Sequence, residues 1–168
     1  MSAPAISAQA LATLQRGWAE APEVAQRELL AAVTEATILM EREVKDGMPR
    51  GATGLTAASV TSDAFTTPAG VLGVVGSSQA SAVFVELGVK PKKMPWSKDL
   101  IPWVRAVLGV DAKKAPGVAF LVARKIYLHG TKAQRPFALA LERNEGQIVR
   151  MVEAAADRIA AHLAGAGT

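Results

Sequence analysis

The sequence predicts an α+β fold in which a small antiparallel sheet in the middle of the chain is packed by N-terminal and C-terminal helices. Helical periodicity dominates both ends of the chain. Residues 50–89 are instead almost uncharged and rich in glycine, serine and β-branched residues, which is typical of short strands and turns. Because the strands cluster in the middle rather than alternate with helices, a βαβ repeat is excluded. At 168 residues the chain is predicted to form one domain.

Two helices are predicted before residue 47 and are separated at Pro22, because proline is disfavoured in a helix interior. The first covers Ser7–Glu20 and the second runs from Pro22 to Asp46, with Gly47 as a suitable end. Apolar residues at spacings of three and four form a stripe on each helix and predict a buried face. They are Leu11, Leu14 and Trp18 on the first helix and Leu29, Val33, Ala36, Met40 and Val44 on the second.

The middle of the chain predicts a hairpin. Leu55–Asp63 and Val71–Gly76 are expected to form strands, and the intervening sequence TTPAG is expected to turn. Ala82–Leu87 is a short apolar run that fits either a strand or a helical turn, and Gly88 ends it.

A basic loop and a helix are predicted next. Val89–Pro95 contains two prolines and is expected to be a loop. Either Ser97 or Asp99 is a suitable N-cap for the helix that follows, and Gly109 is expected to end it.

The last two predicted helices cover Gly117–His129 and Phe137–Ala164, with a loop over Val110–Pro116. The first of them has two apolar stripes, formed by Val118, Leu121, Val122 and Ile126 and by Phe120 and Tyr127. A helix with two apolar stripes packs on two sides, either within the monomer or against a neighbour.

Charge is distributed unevenly along the chain, whose net charge is +4. Residues 90–135 hold eleven basic side chains and only two acidic ones. Such a block can bind the phosphate groups of a nucleic acid or an acidic protein surface. It is equally consistent with a solvated lysine-rich loop. The lysines that we select as candidate contacts with a partner or with DNA are Lys90, Lys92, Lys93, Lys113 and Lys114.

Aromatic side chains within the same block are candidates for a subunit interface. They are Trp96, Trp103, Phe120 and Tyr127. Tryptophan is enriched at protein interfaces, but it also occurs in ordinary cores and, beside lysine, stacks on nucleic-acid bases.

The residues needed for catalysis are scarce. The chain has no cysteine, and its two histidines, His129 and His162, are expected at helix C-termini, where the helix dipole favours a cation. Glu86 is an isolated carboxylate in an apolar run, so we expect a structural ion pair or subunit contact, with a small hydrolase as an alternative. We therefore expect no enzyme activity, no cofactor and no metal site, and neither a signal peptide nor a membrane anchor is predicted.

Three segments, in this order, resemble one family. They are MPRGATGLTAASV (residues 48–60), AVFVELGVKP (82–91) and VARKIYLHGTKAQRPFALAL (122–141). The first resembles that family's small-residue strand after a long helix, and the second its apolar strand that closes in glutamate, leucine and glycine. The third resembles its helix with a glycine–threonine turn and a Pro-Phe start to the last helix. The chain is thus similar to the tail-completion and neck proteins of long-tailed phages, the group that includes the minor tail protein Z of phage lambda.

This resemblance implies a structural virion protein that acts at the head–tail junction as a ring of identical subunits, with a basic tryptophan-containing insert at residues 90–116. Its implied location is the virion, at the junction or upper tail, and the host cytoplasm during assembly. The implied partners are further copies of itself, neighbouring neck and tail proteins and DNA in the channel, with no membrane. A tail terminator ring is an alternative role, and a free nucleic-acid-binding protein that uses residues 90–135 is another.

Overall fold

The fold is mostly helical, with one two-stranded antiparallel sheet in the middle of the chain. The structure, a computed structural model, describes residues 8–165 and the side chains of residues 21–164. The predicted α+β class is confirmed. In chain order the elements are α1 (Ala8–Gly47), α2 (Leu55–Ala58), β1 (Val60–Thr67), β2 (Gly70–Ser77), α3 (Ala80–Leu87), α4 (Ser97–Leu108), α5 (Ala115–His129) and α6 (Pro136–Gly165).

Helix α1 is continuous through Pro22, so the predicted break at this proline is wrong. An interior proline costs a helix about 3 kcal/mol, and the alanines on both sides are strong helix formers that continue it. The predicted apolar stripe from Leu29 to Val44 is confirmed, since each of its five residues is buried or half-buried. The side chain of Trp18, like those of Leu11 and Leu14, lies outside the described side chains.

The segment predicted as the strand Leu55–Asp63 begins as a helical turn, α2, and becomes a strand only at Val60. Gly54 has a left-handed conformation with φ 68°, which starts this turn, and the Ser59 hydroxyl donates to the Thr56 carbonyl at 2.8 Å to close it. The second strand and the tight turn before it are confirmed.

The AVFVEL segment, for which both a strand and a helical turn were predicted as alternatives, forms helix α3. The helical alternative is therefore confirmed and the strand alternative is wrong. Helix α4 ends at Gly109 as predicted, but its N-cap is Trp96 and no side chain caps it. The predicted capping by Ser97 or Asp99 is therefore wrong, because these residues already lie in the first turn. Helix α5 starts two residues before the predicted Gly117, and α6 exceeds its predicted bounds by one residue at each end.

The chain forms two compact units. Unit 1 comprises residues 8–39, Ser62–Val74 and 144–165. Within it the strand backbone lies very close to α1, since a Cβ added to Gly73 would be 2.5 Å from Thr37 Cγ2 and 2.8 Å from Val33 Cγ1. Arg158 Nε also donates to Glu28 Oε2 at 2.7 Å and so links α6 to α1.

Unit 2 comprises Met40–Thr61 and Val75–Arg143 and contains two apolar clusters. The first, which we call the central cluster, brings together the ends of several elements through buried Val44, Met48, Val60, Ala82 and Ala140. The second lies between α4 and α5, around buried Val104, Ala115 and Ala119.

Met48→Ala should lower the free energy of unfolding by about 2–5 kcal/mol, the usual cost of truncating a large buried side chain. Met48 is 3% exposed in the central cluster, whereas Met94 is 45% exposed and provides a matched control. Urea denaturation of both variants measures the difference. Equal effects of Met48→Ala and Met94→Ala would contradict this placement of the core.

Arg158→Gln should raise the pKa of Glu28. The hydrogen bond from Arg158, assisted by the positive charges of Arg158 and Arg27, holds the pKa of Glu28 below its usual value. The stability that this carboxylate contributes is therefore present above its unfolded-state pKa and is lost as the pH falls through its folded-state pKa. The contribution is small because the pair is partly exposed.

The measurement is an NMR titration of the Glu28 side-chain carboxyl carbon in the wild type and in Arg158→Gln. Arg150→Gln removes another arginine from α6 and should leave the midpoint unchanged. Coincident midpoints in all three proteins would show that Arg158 does not hold the carboxylate in solution.

Candidate assembly surface

Glu86 caps helix α6 across a sequence separation of more than fifty residues. Its Oε2 accepts the N–H of Phe137 at 2.9 Å and its Oε1 accepts that of Ala138 at 3.1 Å. Pro136, the first residue of α6, has no N–H, and the Leu139 N–H donates to the carbonyl of Arg135 at 2.8 Å. The first turn of α6 is thus fully satisfied, and a negative charge lies at the positive end of its dipole.

The residues on either side of this cap also pair with each other. The N–H of Val89 donates to the Thr131 carbonyl, and the Thr131 N–H donates back to the Val89 carbonyl at 2.9 Å. One turn earlier the Gln134 N–H donates to the Val85 carbonyl at 2.9 Å. We call this pairing of residues 85–89 with residues 130–138 the clasp.

Two glycines allow the clasp to close. Gly88 has φ 71° and ψ −179°, and Gly130 has φ 71° and ψ −163°, a region that essentially only glycine adopts. A Cβ on Gly88 would collide with the backbone of Thr131 and Ala133, and one on Gly130 would collide with the carbonyl of Val89. The second and third segments selected from the sequence therefore meet backbone to backbone.

The first segment, residues 48–60, packs against the same two elements, α3 and α6. Met48 and Val60 lie in the central cluster with Ala82 of α3 and Ala140 of α6. The hydroxyls of Thr56 and Ser81 are hydrogen-bonded at 2.8 Å. Three segments that are far apart in sequence thus converge on one cluster of unit 2.

Three of the predicted contact lysines lie together on an exposed loop directly after the clasp. They are Lys90, Lys92 and Lys93. The Lys92 N–H donates to the Tyr127 carbonyl at 2.6 Å, which fixes this loop at the C-terminal end of α5. The described residues place no carboxylate within ion-pair distance of these lysines, and the dipole of α5 favours positive charge at this end.

The other two predicted contact lysines lie elsewhere. Lys113 and Lys114 precede α5, where Asp111 Oδ1 accepts the Lys113 N–H at 2.8 Å. The 15 residues of α5 span about 22 Å, at 1.5 Å per residue. The five lysines therefore form two groups at opposite ends of one helix and not a single patch.

The predicted interface aromatics divide in the same way. Trp96 is 77% exposed at the start of α4, whereas Trp103 is half-buried against the cluster between α4 and α5. Phe120 and Tyr127 are both exposed and lie seven residues apart, so they share the outer face of α5. Trp103 is therefore mainly a core residue of α4, and the other three are available to a partner.

Alanines form the buried face of α5, and this face was not predicted from the sequence. Ala115, Ala119 and Ala123 recur every fourth residue and are fully buried. Val122 is half-buried, but Leu121, predicted on the same stripe, is 59% exposed, so that part of the prediction is wrong. Small residues let α4 and α5 approach closely, and the larger side chains then point outward. The alanine repeat was the signal available in the sequence.

Exposed apolar side chains are abundant in unit 2. Helix α3 exposes Val83, Phe84 and Leu87, of which Leu87 is 73% exposed. Val83 and Leu87 border an apolar hollow of about 250 Å³ beside Phe137. Side chains of this size, clustered beside a concave surface, are characteristic of protein–protein interfaces.

The described residues contain few other candidate sites. His129 and His162 are exposed in the last turns of α5 and α6, as predicted from the helix dipole. No group of three or more metal-ligating side chains occurs in the described part of the chain. None of its helices is long and apolar enough to cross a membrane.

Comparisons with protein-family models, with curated proteins and with solved structures return no match.

Gly88→Ala should destabilise unit 2 far more than Gly109→Ala. Gly109 also has a positive φ of 64°, but a Cβ there would meet nothing within 4 Å. Gly109→Ala therefore carries only the cost of a left-handed alanine, about 1–2 kcal/mol. Gly88→Ala adds a collision with the Thr131 backbone, so its loss should exceed that of the control by at least about 1 kcal/mol. Urea denaturation tests this, and equal losses would show that the clasp is not closed in solution.

Proposed function

We propose that this protein is a structural component of the head–tail junction of a long-tailed phage, where copies of it form a ring that completes the tail for joining to the head. The observation that carries this proposal is the convergence of the three family-like segments. The central cluster contains Met48 of the first segment. The adjoining clasp contains Glu86, which caps α6, and the close backbone approach at Gly88 and Gly130. Their packing around one core supports the interpretation of the three segments as parts of a single family-like fold.

The surface chemistry of unit 2 supports assembly. Helices α3 and α5 leave large apolar side chains in water, among them Phe84, Leu87, Phe120 and Leu128. Burying such surface is the main driving force of protein association, at roughly 25 cal/mol per Å² of apolar area. A ring subunit needs two such lateral faces, one for each neighbour.

The basic loop supports a contact with an acidic partner. Lys90, Lys92 and Lys93 are exposed and have no ion-pair partner among the described residues. In the proposed role they meet either the acidic surface of a neighbouring ring or DNA in the channel. The protein then resides in the virion, after assembly in the host cytoplasm, catalyses no reaction and requires no cofactor.

Free nucleic-acid binding is a second candidate function, favoured by the exposure of Trp96 beside the basic loop. An indole that is 77% exposed and follows Lys92 and Lys93 is suited to base stacking combined with phosphate contacts. This function requires the isolated protein to bind DNA tightly, with an affinity that falls steeply as salt increases. The junction role requires no tight binding by the isolated subunit, so a salt-dependent DNA titration separates the two.

Simultaneous replacement of Lys90, Lys92 and Lys93 by Ser should reduce the joining of heads to tails and leave thermal stability nearly unchanged. Changes at exposed side chains usually alter stability by no more than about 0.5 kcal/mol. The measurement is an in vitro joining assay with purified heads and tails, together with a thermal melt. The matched control replaces the same three residues by Arg, which retains the charge and should retain joining.

Normal joining with a normal melt would eliminate the loop as a contact. A lowered melting temperature would instead identify the lysines as structural. Electron microscopy of the particle tests the proposed location directly, and density for this protein away from the junction would contradict it.

A further inference from the structure

The outer face of α5 is an apolar surface with one central charge. Phe120, Leu121, Tyr127 and Leu128 surround Arg124, and all five are exposed. Their positions span about 12 Å of helix. Since the inner face carries the buried alanines, α5 has two apolar faces, and exposed Lys125 is its other charged residue beside Arg124. A helix with two apolar faces packs on two sides.

A partner for this face must provide an acidic group. Arg124 has no ion-pair partner among the described residues, and enclosing it among apolar side chains without one is costly. Two α5 helices packed by a two-fold axis would bring the Arg124 residues of both copies together. This face therefore does not pair with itself.

Helix α1 in unit 1 has the complementary surface. A shallow hollow of about 570 Å³ runs along it and is lined by Leu30, Ala31, Thr34 and Ile38, with Arg27 and Glu35 as its two charged lining residues. Arg27 Nε lies 4.0 Å from Glu28 Oε1, so the charge of Arg27 already has a partner. Ile38 is 59% exposed. The Thr34 hydroxyl donates a hydrogen bond to the Leu30 carbonyl at 2.6 Å. Small residues at the centre of the hollow allow a second helix to approach closely, and Glu35 has no ion-pair partner in the described part of the chain.

The two units also differ in charge. The described side chains of unit 1 include seven acidic and three basic residues, whereas those of unit 2 include seven acidic and fifteen basic residues. Surfaces of opposite charge attract each other on encounter and select this pairing over a like-charged one.

We propose that the outer face of α5 of one copy packs into the α1 hollow of a second copy, with Arg124 paired to Glu35. The inference rests on the self-assembly contained in the proposed function and identifies the two surfaces that meet. The interface joins two different surfaces, so each copy in a pair retains one free surface of each kind. Successive copies then add head to tail and give a ring where the rotation closes.

Disulfide cross-linking between two variants tests this pairing. The chain has no cysteine, so Ile38→Cys and Leu121→Cys each introduce a single thiol. The two purified full-length variants are mixed under a copper–phenanthroline oxidant, and mass spectrometry identifies the cross-linked peptides. We expect a disulfide between residue 38 of one variant and residue 121 of the other, well in excess of dimers of either variant alone.

A charge swap provides the second test. Arg124→Glu and Glu35→Arg should each weaken self-association, measured by sedimentation, by at least tenfold, and the double variant should recover most of it. Arg143→Glu and Glu145→Arg are controls on α6 that change exposed charges outside the two surfaces and should have little effect. Thermal melts of all variants confirm folding.

Two results would overturn the proposal: cross-links only between two copies of residue 121, or no cross-link at all. Additive losses in the double charge variant would also overturn it. These outcomes are separate from the junction role, because a variant that joins heads to tails without the 38–121 contact would retain the proposed function and refute this interface.

Discussion

The fold of unit 2 depends on the carboxylate of Glu86. A helix that starts at proline still has two free N–H groups in its first turn, and here both are satisfied by one side chain from α3. Because the acceptor comes from a distant element, α6 is correctly capped only when α3 is in place. The two helices that this contact joins also contribute Ala82 and Ala140 to the central cluster, so the cap and the core link the same two elements.

The sequence predicted the fold class and most helix ends, because these depend on local signals. Gly47, Gly109 and Gly130 end their helices where expected. Local sequence signals did not predict the secondary structure where adjacent residues or distant elements determine it. Pro22 was overridden by the strong helix formers around it. The AVFVEL segment, whose apolar run fits either a strand or a helical turn, forms a helix, and its glutamate caps another helix more than fifty residues away. Such a partner has no signature in the local sequence.

The candidate surface was predicted less completely, for a different physical reason. Hydrophobic periodicity identifies α5 as apolar on two sides, but it does not distinguish the side that packs within the chain. The packing face consists of Ala119 and its alanine neighbours, since a close helix pair excludes large side chains. Phe120 and Tyr127, which were selected as candidates for an interface, are exposed, whereas Trp103 is half-buried against the cluster between α4 and α5. Periodicity measures hydrophobicity, and here size decided the orientation.

The Val89–Thr131 bridge has an architectural consequence. The chain leaves the clasp at Val89 and returns to it at Thr131, so the intervening forty or so residues begin and end at adjacent points. That excursion contains α4 and α5 and has its own apolar cluster around Val104. The entropic cost of closing a loop rises only slowly with loop length. The pairing of Val89 with Thr131 is therefore compatible with large changes in the length of the segment between them. The rest of unit 2 thus sets the two end points of the α4–α5 excursion but does not set its length.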